Sequence, residues 1–342
     1  MKELLVQVPK FYKVNLHCHT NISDGSHTPE EVKEFYKSRG YHAVAFTDHE
    51  VCVPHPELTD EDFIALTAYE LSTKEEPDAS IPGCFRKTYH LNFIAKEPEN
   101  RWQVCDLRRL WGNGKKLQDE LVTDGFEEWE YSLEAINEII ARHNEKGYLT
   151  IFNHPVWSMQ DYRDYAGLKG VWGTEVYNNE AYTYGYGDNQ DIVFEQMLRA
   201  GQTLFPVAAD DFHHMKGEQF IAGGWLMVGA KEFSYKAIMD ALEQGDFYAS
   251  CGPDILSITY DGECYITVKT AQPVRSINMT ASFRYMKQVT AEEGVTEGKF
   301  GLGWIRPNAE EHGIADTAWV RFVITDMEGR KAYTRAYYLR DI

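Results

Sequence analysis

The chain has 342 residues, 43% of them hydrophobic and 13% aromatic, which is enough apolar material for a sizeable core and rules out a mainly disordered polymer. Thirty-four basic side chains face 53 acidic ones, a net charge of −19, the wrong sign for a surface that gathers phosphate backbones by releasing counterions. Extended nucleic acid is thereby disfavoured as a partner, whereas a small phosphorylated substrate is not, because cations held among carboxylates and imidazoles reverse the local field. No segment approaches the roughly 18 apolar residues of a membrane span. Residues 1–13 lack a basic stretch followed by an apolar run, and Cys18, Cys52, Cys84, Cys105, Cys251 and Cys264 are scattered without a CxxC pair, so a reduced, cytoplasmic protein is expected.

Val14 to His19 reads as a short strand. Thr28-Pro29-Glu30-Glu31 follows as a helix start, with Thr28 as cap, Pro29 at the first helical position and Glu31 closing a capping box. That helix runs to about Arg39, Gly40 stops it, and His42 to Thr47 is a buried-looking strand, which makes a strand–helix–strand unit of the parallel type. Strands are expected at 64–70, 90–95, 148–153, 173–177 and 203–209, and helices at 133–144, 190–199 and 235–243. The regions 74–84 and 100–130 read as long loops or short helices, of the kind that carries substrate selectivity. Some seven such units predict a closed α/β barrel. After Cys251-Gly252-Pro253 long helices stop and alternating runs such as Trp319-Val320-Arg321-Phe322-Val323-Ile324 take over. The expected organisation is an α/β barrel over residues 1–252 and a small β-rich, sandwich-like domain over 253–342.

Ionisable residues gather where these strands end. In His17-Cys18-His19, alternation puts the two imidazoles on one face and Cys18 on the other. Asp48-His49 ends the next strand, Tyr69-Glu70 the third, and His90 begins the fourth. Asn153-His154-Pro155 and Asp210-Asp211-Phe212-His213-His214 close two later ones. In an α/β barrel these ends converge on one mouth, where catalytic groups sit. Imidazole and carboxylate ligands without thiolate suit zinc, manganese or iron better than magnesium or calcium. Two such metals lower the pKa of water and neutralise attacking and leaving oxygens, so hydrolysis needs no protein nucleophile. His213 or a second water would protonate the leaving group.

The ordered set HCH at 17–19, TDH at 47–49, NHP at 153–155 and DFH at 211–213 resembles the four motifs of the PHP (polymerase and histidinol phosphatase) domain over roughly residues 12–252. The resemblance implies a distorted (β/α)7 barrel with two or three divalent transition metals at its mouth, and phosphoesterase activity. Position by position it implies that His17, His19, Glu70 and Asp211 hold a first metal. Glu70 bridges to a second with His90 and His154, and Asp24, His49 and His213 hold a third. Asp24 stands in NISDGS where some members carry a histidine, as in the branch with nucleotide phosphoesterases. Glu70, Asp211 and His213 are the implied catalytic groups.

Arg86, Lys87 and Lys216 are candidates for gripping a substrate phosphate or carboxylate, and the aromatic run 177–186 for stacking a base or sugar. Asp48 and Asp210 are expected to orient imidazoles, Cys18 to be a small buried apolar group, and His214 and His143 to be structural. The reading is a metal-dependent hydrolase of small phosphomonoesters or phosphodiesters. Carboxylic or carbamate ester hydrolysis and an idle metal- or carbohydrate-binding module are its rivals; oligomeric state is not legible.

Overall fold

A computed structural model describes residues 1–76, 86–110, 112–186, 190–215 and 222–342. It divides into two compact units, one of Tyr12–Trp225 with Glu232–Met239, the other of Met1–Phe11, Leu226–Lys231 and Asp240–Ile342. The expected boundary at 252/253 falls inside the second unit. Phe247–Ser250, before it, pairs antiparallel with Lys331–Tyr333, far beyond it. Among the described residues no helix is long and apolar enough to cross a membrane.

The first unit is a mixed α/β structure. Its strands are β1 (Tyr12–Asn15), β2 (Ala43–Phe46), β3 (Ile64–Lys74), β4 (Thr88–Ala95), β5 (Tyr148–Phe152), β6 (Gly173–Asn178) and β7 (Phe205–Ala209), and they lie side by side in chain order. Pairing is parallel from β1 to β3 and from β5 to β7, while β3–β4 and β4–β5 are antiparallel. The uniformly parallel pattern expected from the sequence is therefore broken in the middle. The two ends of the series meet just beyond the regular strands, where Cys18 and Phe212 form a parallel bridge. There the His19 N–H donates to the Phe212 carbonyl at 2.8 Å and the Asp211 N–H to that of His17 at 3.1 Å.

Helix α1 (Pro29–Lys37) starts as its sequence dictates: the Glu31 N–H donates to Thr28 Oγ1, and the Thr28 N–H donates to the Glu31 carboxylate. It buries Val32, Phe35 and Tyr36 in a core shared with Cys18, Val44, Phe46 and Phe212, so Cys18 is the small apolar group its alternation implied. Among the described residues, the other long helices lying wholly within this unit are α2 (Leu133–Glu145) and α3 (Gln190–Arg199).

In the second unit, Lys2–Glu3, Ile255–Tyr260, Tyr265–Ala281, Trp319–Thr325, Lys331–Tyr333 and Phe247–Ser250 pair antiparallel in that order, with Met286–Gly301 on the long Tyr265–Ala281 strand. That long strand shifts register between Lys269 and Val274. Its first part pairs with Ile255–Tyr260 and its second with Trp319–Thr325. Inward residues such as Ile266, Val268, Ile277, Phe300 and Phe322 form a separate apolar core.

Candidate metal centre

Two short triplets build the floor of the site. His17-Cys18-His19 and Asp211-Phe212-His213 run parallel through the Cys18–Phe212 bridge. The middle residues of both pack into the α1 core, so alternation turns the four flanking side chains the opposite way. Asp211 adopts a left-handed backbone (φ 54°), and so does His154 (φ 24°). Residues other than glycine adopt that conformation uncommonly, and such outliers cluster at functional sites.

His17 Nε2 lies 3.1 Å from His19 Nε2, 3.0 Å from Asp211 Oδ1 and 3.4 Å from Glu70 Oε2. His19 Nε2 lies 3.2 Å from each of those carboxylate oxygens. His17 Nδ1 donates to Glu175 Oε1 at 2.8 Å, so the Nε2 of a neutral His17 presents a lone pair. Glu70 is buried and its Oε2 has no hydrogen-bond partner. Four acceptor atoms at these spacings hold together only around positive charge, and the spacings match roughly those of donors around a tetrahedral ion with bonds of about 2.0–2.1 Å. Without a metal, protons take that place. Burial works against charge on His17, yet Asp211, Glu70 and Glu175 raise its pKa well above the ordinary value. Burial and His213 oppose charge on His19, and the nearby Asp211 and Glu70 carboxylates still raise its pKa to about 9. The imidazoles in turn hold Glu70 and Asp211 well below the usual carboxylate range in spite of their burial.

Glu70 turns its other oxygen elsewhere. Its Oε1 lies 3.0 Å from His90 Nδ1 and 3.6 Å from His154 Nε2, and accepts from Asn153 Nδ2 at 2.7 Å. The carboxylate thus reaches two donor groups, as a bridging residue must. The grouping is less tidy than the sequence implied: His154 also meets Asp211 Oδ2 at 3.6 Å and clusters with His17 and Asp211, whereas His90 clusters with Glu70 and His49. In a third cluster Asp24 Oδ2 stands 3.3 Å from His213 Nε2 and 3.7 Å from His49 Nε2. His19 joins it, with Nδ1 at 3.5 Å from Asp24 Oδ1, a participation the sequence did not signal. Burial holds the His49 imidazole down at about 3, which keeps it neutral and able to ligate.

All nine residues expected at the metals are therefore brought together, with the grouping changed as described. The basic candidates divide. Arg86 lines the cavity above the donors, about 580 Å³ in volume. Lys87, one residue on, faces away by strand alternation, and its Nζ is held by Asp161 and Asp164 at 2.8 and 2.7 Å. Lys216 lies outside the described residues. Asp48 and Asp210 do not orient imidazoles. Asp48 accepts from the N–H groups of Thr20 and Ser23 and from both their hydroxyls, which ties down the loop leading to Asp24. Asp210 accepts from the N–H groups of Gly223 and Gly224 and from the hydroxyls of Tyr36 and Tyr41, and burial pushes its pKa up to about 6. His214 pairs with Ser26 Oγ at 2.8 Å.

Two acidic residues escaped the sequence reading. Glu175 holds His17 and accepts from the His154 N–H at 2.8 Å and Asn178 Nδ2 at 2.9 Å. Glu180 Oε2 lies 2.6 Å from His213 Nδ1. For Glu175 a signal existed, since a carboxylate in the middle of the otherwise uncharged strand GTEVYN must find partners when buried.

The family model of the PHP domain matches residues 15–183. This chain carries a PHP domain. The match spans β1 to β6 and takes in His17, His19, Asp24, His49, Glu70, His90, His154 and Glu175. Among curated proteins nothing matches. Among solved structures, the PHP domain and the rest of the chain are similar to a two-domain protein from Bacteroides vulgatus ATCC 8482 containing a predicted PHP-like metal-dependent phosphoesterase. Identity is 14% over 98% of this chain and 99% of that one, with a TM-score of 0.43. A second similar structure is an amidohydrolase from Chromobacterium violaceum with bound sulfate and no metal, 16% identical over 59% of this chain and 88% of that one, TM-score 0.34.

Proposed function

We propose that the PHP domain is a distorted (β/α)7 barrel hydrolase that cleaves a small phosphomonoester or phosphodiester with two or three zinc, manganese or iron ions. The observation that carries this reading is the donor cluster, nitrogen and carboxylate oxygen without thiolate, at the floor of a cavity of about 580 Å³. His17, His19, Glu70 and Asp211 would hold one ion, Glu70 with His90 and His154 a second, and Asp24, His49 and His213 a third. Such ions supply Lewis acidity, activating water near neutral pH and offsetting charge on phosphoryl oxygens.

The remaining work falls to the chain itself. Glu175 fixes the tautomer of His17 by accepting from Nδ1, and Glu180 does the same for His213, leaving each Nε2 aimed at the cluster. At the cavity edge His213 is positioned to give a proton to the leaving oxygen when it is not ligating. The acidic balance of the chain favours a compact substrate over extended nucleic acid. The test is a panel of aryl phosphate, bis-aryl phosphate and aryl carboxylate ester, run on protein reconstituted with manganese, zinc or iron. Turnover of a phosphate ester that a chelator abolishes and metal restores is the expected result; turnover of the carboxylate ester alone would overturn the phosphoesterase assignment.

A further inference from the structure

Past the metal donors, the β3–β4 hairpin carries a second set of polar side chains on the same face. Ser72 pairs with His90 and Lys74 with Thr88 in the antiparallel register, and period-two alternation puts Glu70, Ser72 and Lys74 on one face with His90 and Thr88. These five, and Arg86 two residues before Thr88, line the one cavity. The inner pair, Glu70 and His90, belongs to the metal cluster. The Ser72 hydroxyl is taken up by Glu50 Oε1 at 2.9 Å.

The outer three are not used in this way. Thr88 is 8% exposed, and its Oγ1 is buried without a hydrogen-bond partner. A buried hydroxyl without a partner, on a residue that lines the cavity, is a donor that a change of χ1 rotamer would present to a ligand acceptor. Beside it on the wall stand Lys74 and Arg86; Arg86 has a loose, solvent-exposed contact with Glu76 at 3.6 Å. The cavity floor is crowded with carboxylates, so two cations and a spare donor in its outer part form a distinct electrostatic zone. Thr88 lies two residues along the strand from His90 and Lys74 four from Glu70, which places that zone roughly 7–13 Å outward from the donors.

We propose that Lys74, Arg86 and Thr88 form a second anion subsite, so that the preferred substrate carries, besides the scissile phosphate, another phosphate or carboxylate at that separation. This rests on the phosphoesterase reading and deepens it. Lys and Arg side chains with a hydroxyl donor match either anion, the guanidinium by a bidentate pair of hydrogen bonds.

The test measures calorimetric binding to the metal-loaded full chain of three families of non-hydrolysable ligands of graded chain length: alkyl monophosphonates, α,ω-alkane bisphosphonates, and phosphonates ending in a carboxylate. At the spacing that spans the two zones, a doubly anionic ligand should bind roughly ten-fold or more tightly than the monophosphonate of equal length. The carboxylate-ended series shows whether either anion is accepted. That ratio should fall toward one in Thr88→Val and in the Lys74→Met, Arg86→Met double variant, and persist in Thr88→Ser. Equal binding of singly and doubly anionic ligands at every length, or an advantage that survives both variants, overturns the subsite and leaves the phosphoesterase reading standing. No binding by any phosphonate at full metal content overturns both.

Discussion

Glu70 offers each of its oxygens to a different donor group, at 3.2 Å from His19 Nε2 and 3.0 Å from His90 Nδ1, whereas Asp24 touches only the third cluster. Glu70→Gln removes the charge that both groups share, and metal stoichiometry and turnover should fall together, the latter by more than the roughly 100-fold that loss of an outer carboxylate can cost. Asp24→Asn should keep the first two ions and lose turnover only in part. Elemental analysis alongside kinetics on both variants checks this; near-normal turnover in Glu70→Gln would remove it from the site. Glu175 makes a separate point. It coordinates nothing in the proposed arrangement, yet it fixes His17 and the His154 backbone. Glu175→Gln places an amide N–H against one of these donors, and metal affinity should drop about 10- to 100-fold while the thermal midpoint of the chelated protein moves much less. A metal titration and a melting curve separate the two effects.

The elements around the site owe their positions to ordinary packing. Helix α2 seats His143 in the core, stacked on Phe93 with ring centroids 3.5 Å apart. Its Nδ1 donates to the Ile139 carbonyl at 2.7 Å, and Nε2 accepts from Tyr69 O–H at 2.6 Å. Protonating Nε2 would set two donors against each other, and burial lowers the His143 pKa to about 3. A histidine depressed in this way stabilises the fold above its unfolded value near 6.5, and the contribution is lost as pH falls toward 3, by about 1.4 kcal/mol per pH unit. The His143 imidazole should therefore show no titration by NMR between pH 7 and 5 (a range chosen around the ordinary histidine value near 6.5), and a midpoint near 6.5 would mean that α2 is not packed as described. His143 was readable from the sequence as structural. Its stacking on Phe93 was not, because β4 lies some fifty residues earlier and only the β4–β5 pairing brings the two together.

For the whole molecule, metal content and stability should be linked through protons. His19, raised to about 9 by the surrounding carboxylates, stabilises the metal-free fold fully below the unfolded value near 6.5, and that contribution disappears as pH rises through 9. Chelated protein should accordingly lose thermal stability between pH 6.5 and 9.5, while reconstituted protein, whose cations do not titrate, should hold its melting temperature over the same range. Parallel melting curves decide it; identical pH profiles would mean that the histidine cluster does not bind cations.

Local pattern was sufficient for the strand and helix order of the first unit, the α1 capping box and the burial of Cys18, because alternation and capping are properties of adjacent residues, whereas the full set of nine candidate ligands was implied only by the resemblance to the PHP motifs. It was insufficient for three things. The antiparallel β3–β4 and β4–β5 pairs depend on which edge a strand meets, and an apolar run carries no direction. Met1–Phe11 belongs with the C-terminal unit because Lys2–Glu3 pairs with Thr259–Tyr260, a contact between segments far apart in the sequence that no composition change marks. Glu175 and Glu180 have no motif of their own; only the convergence of β6 with the His17 and Asp211 triplets gives these two carboxylates an imidazole to hold.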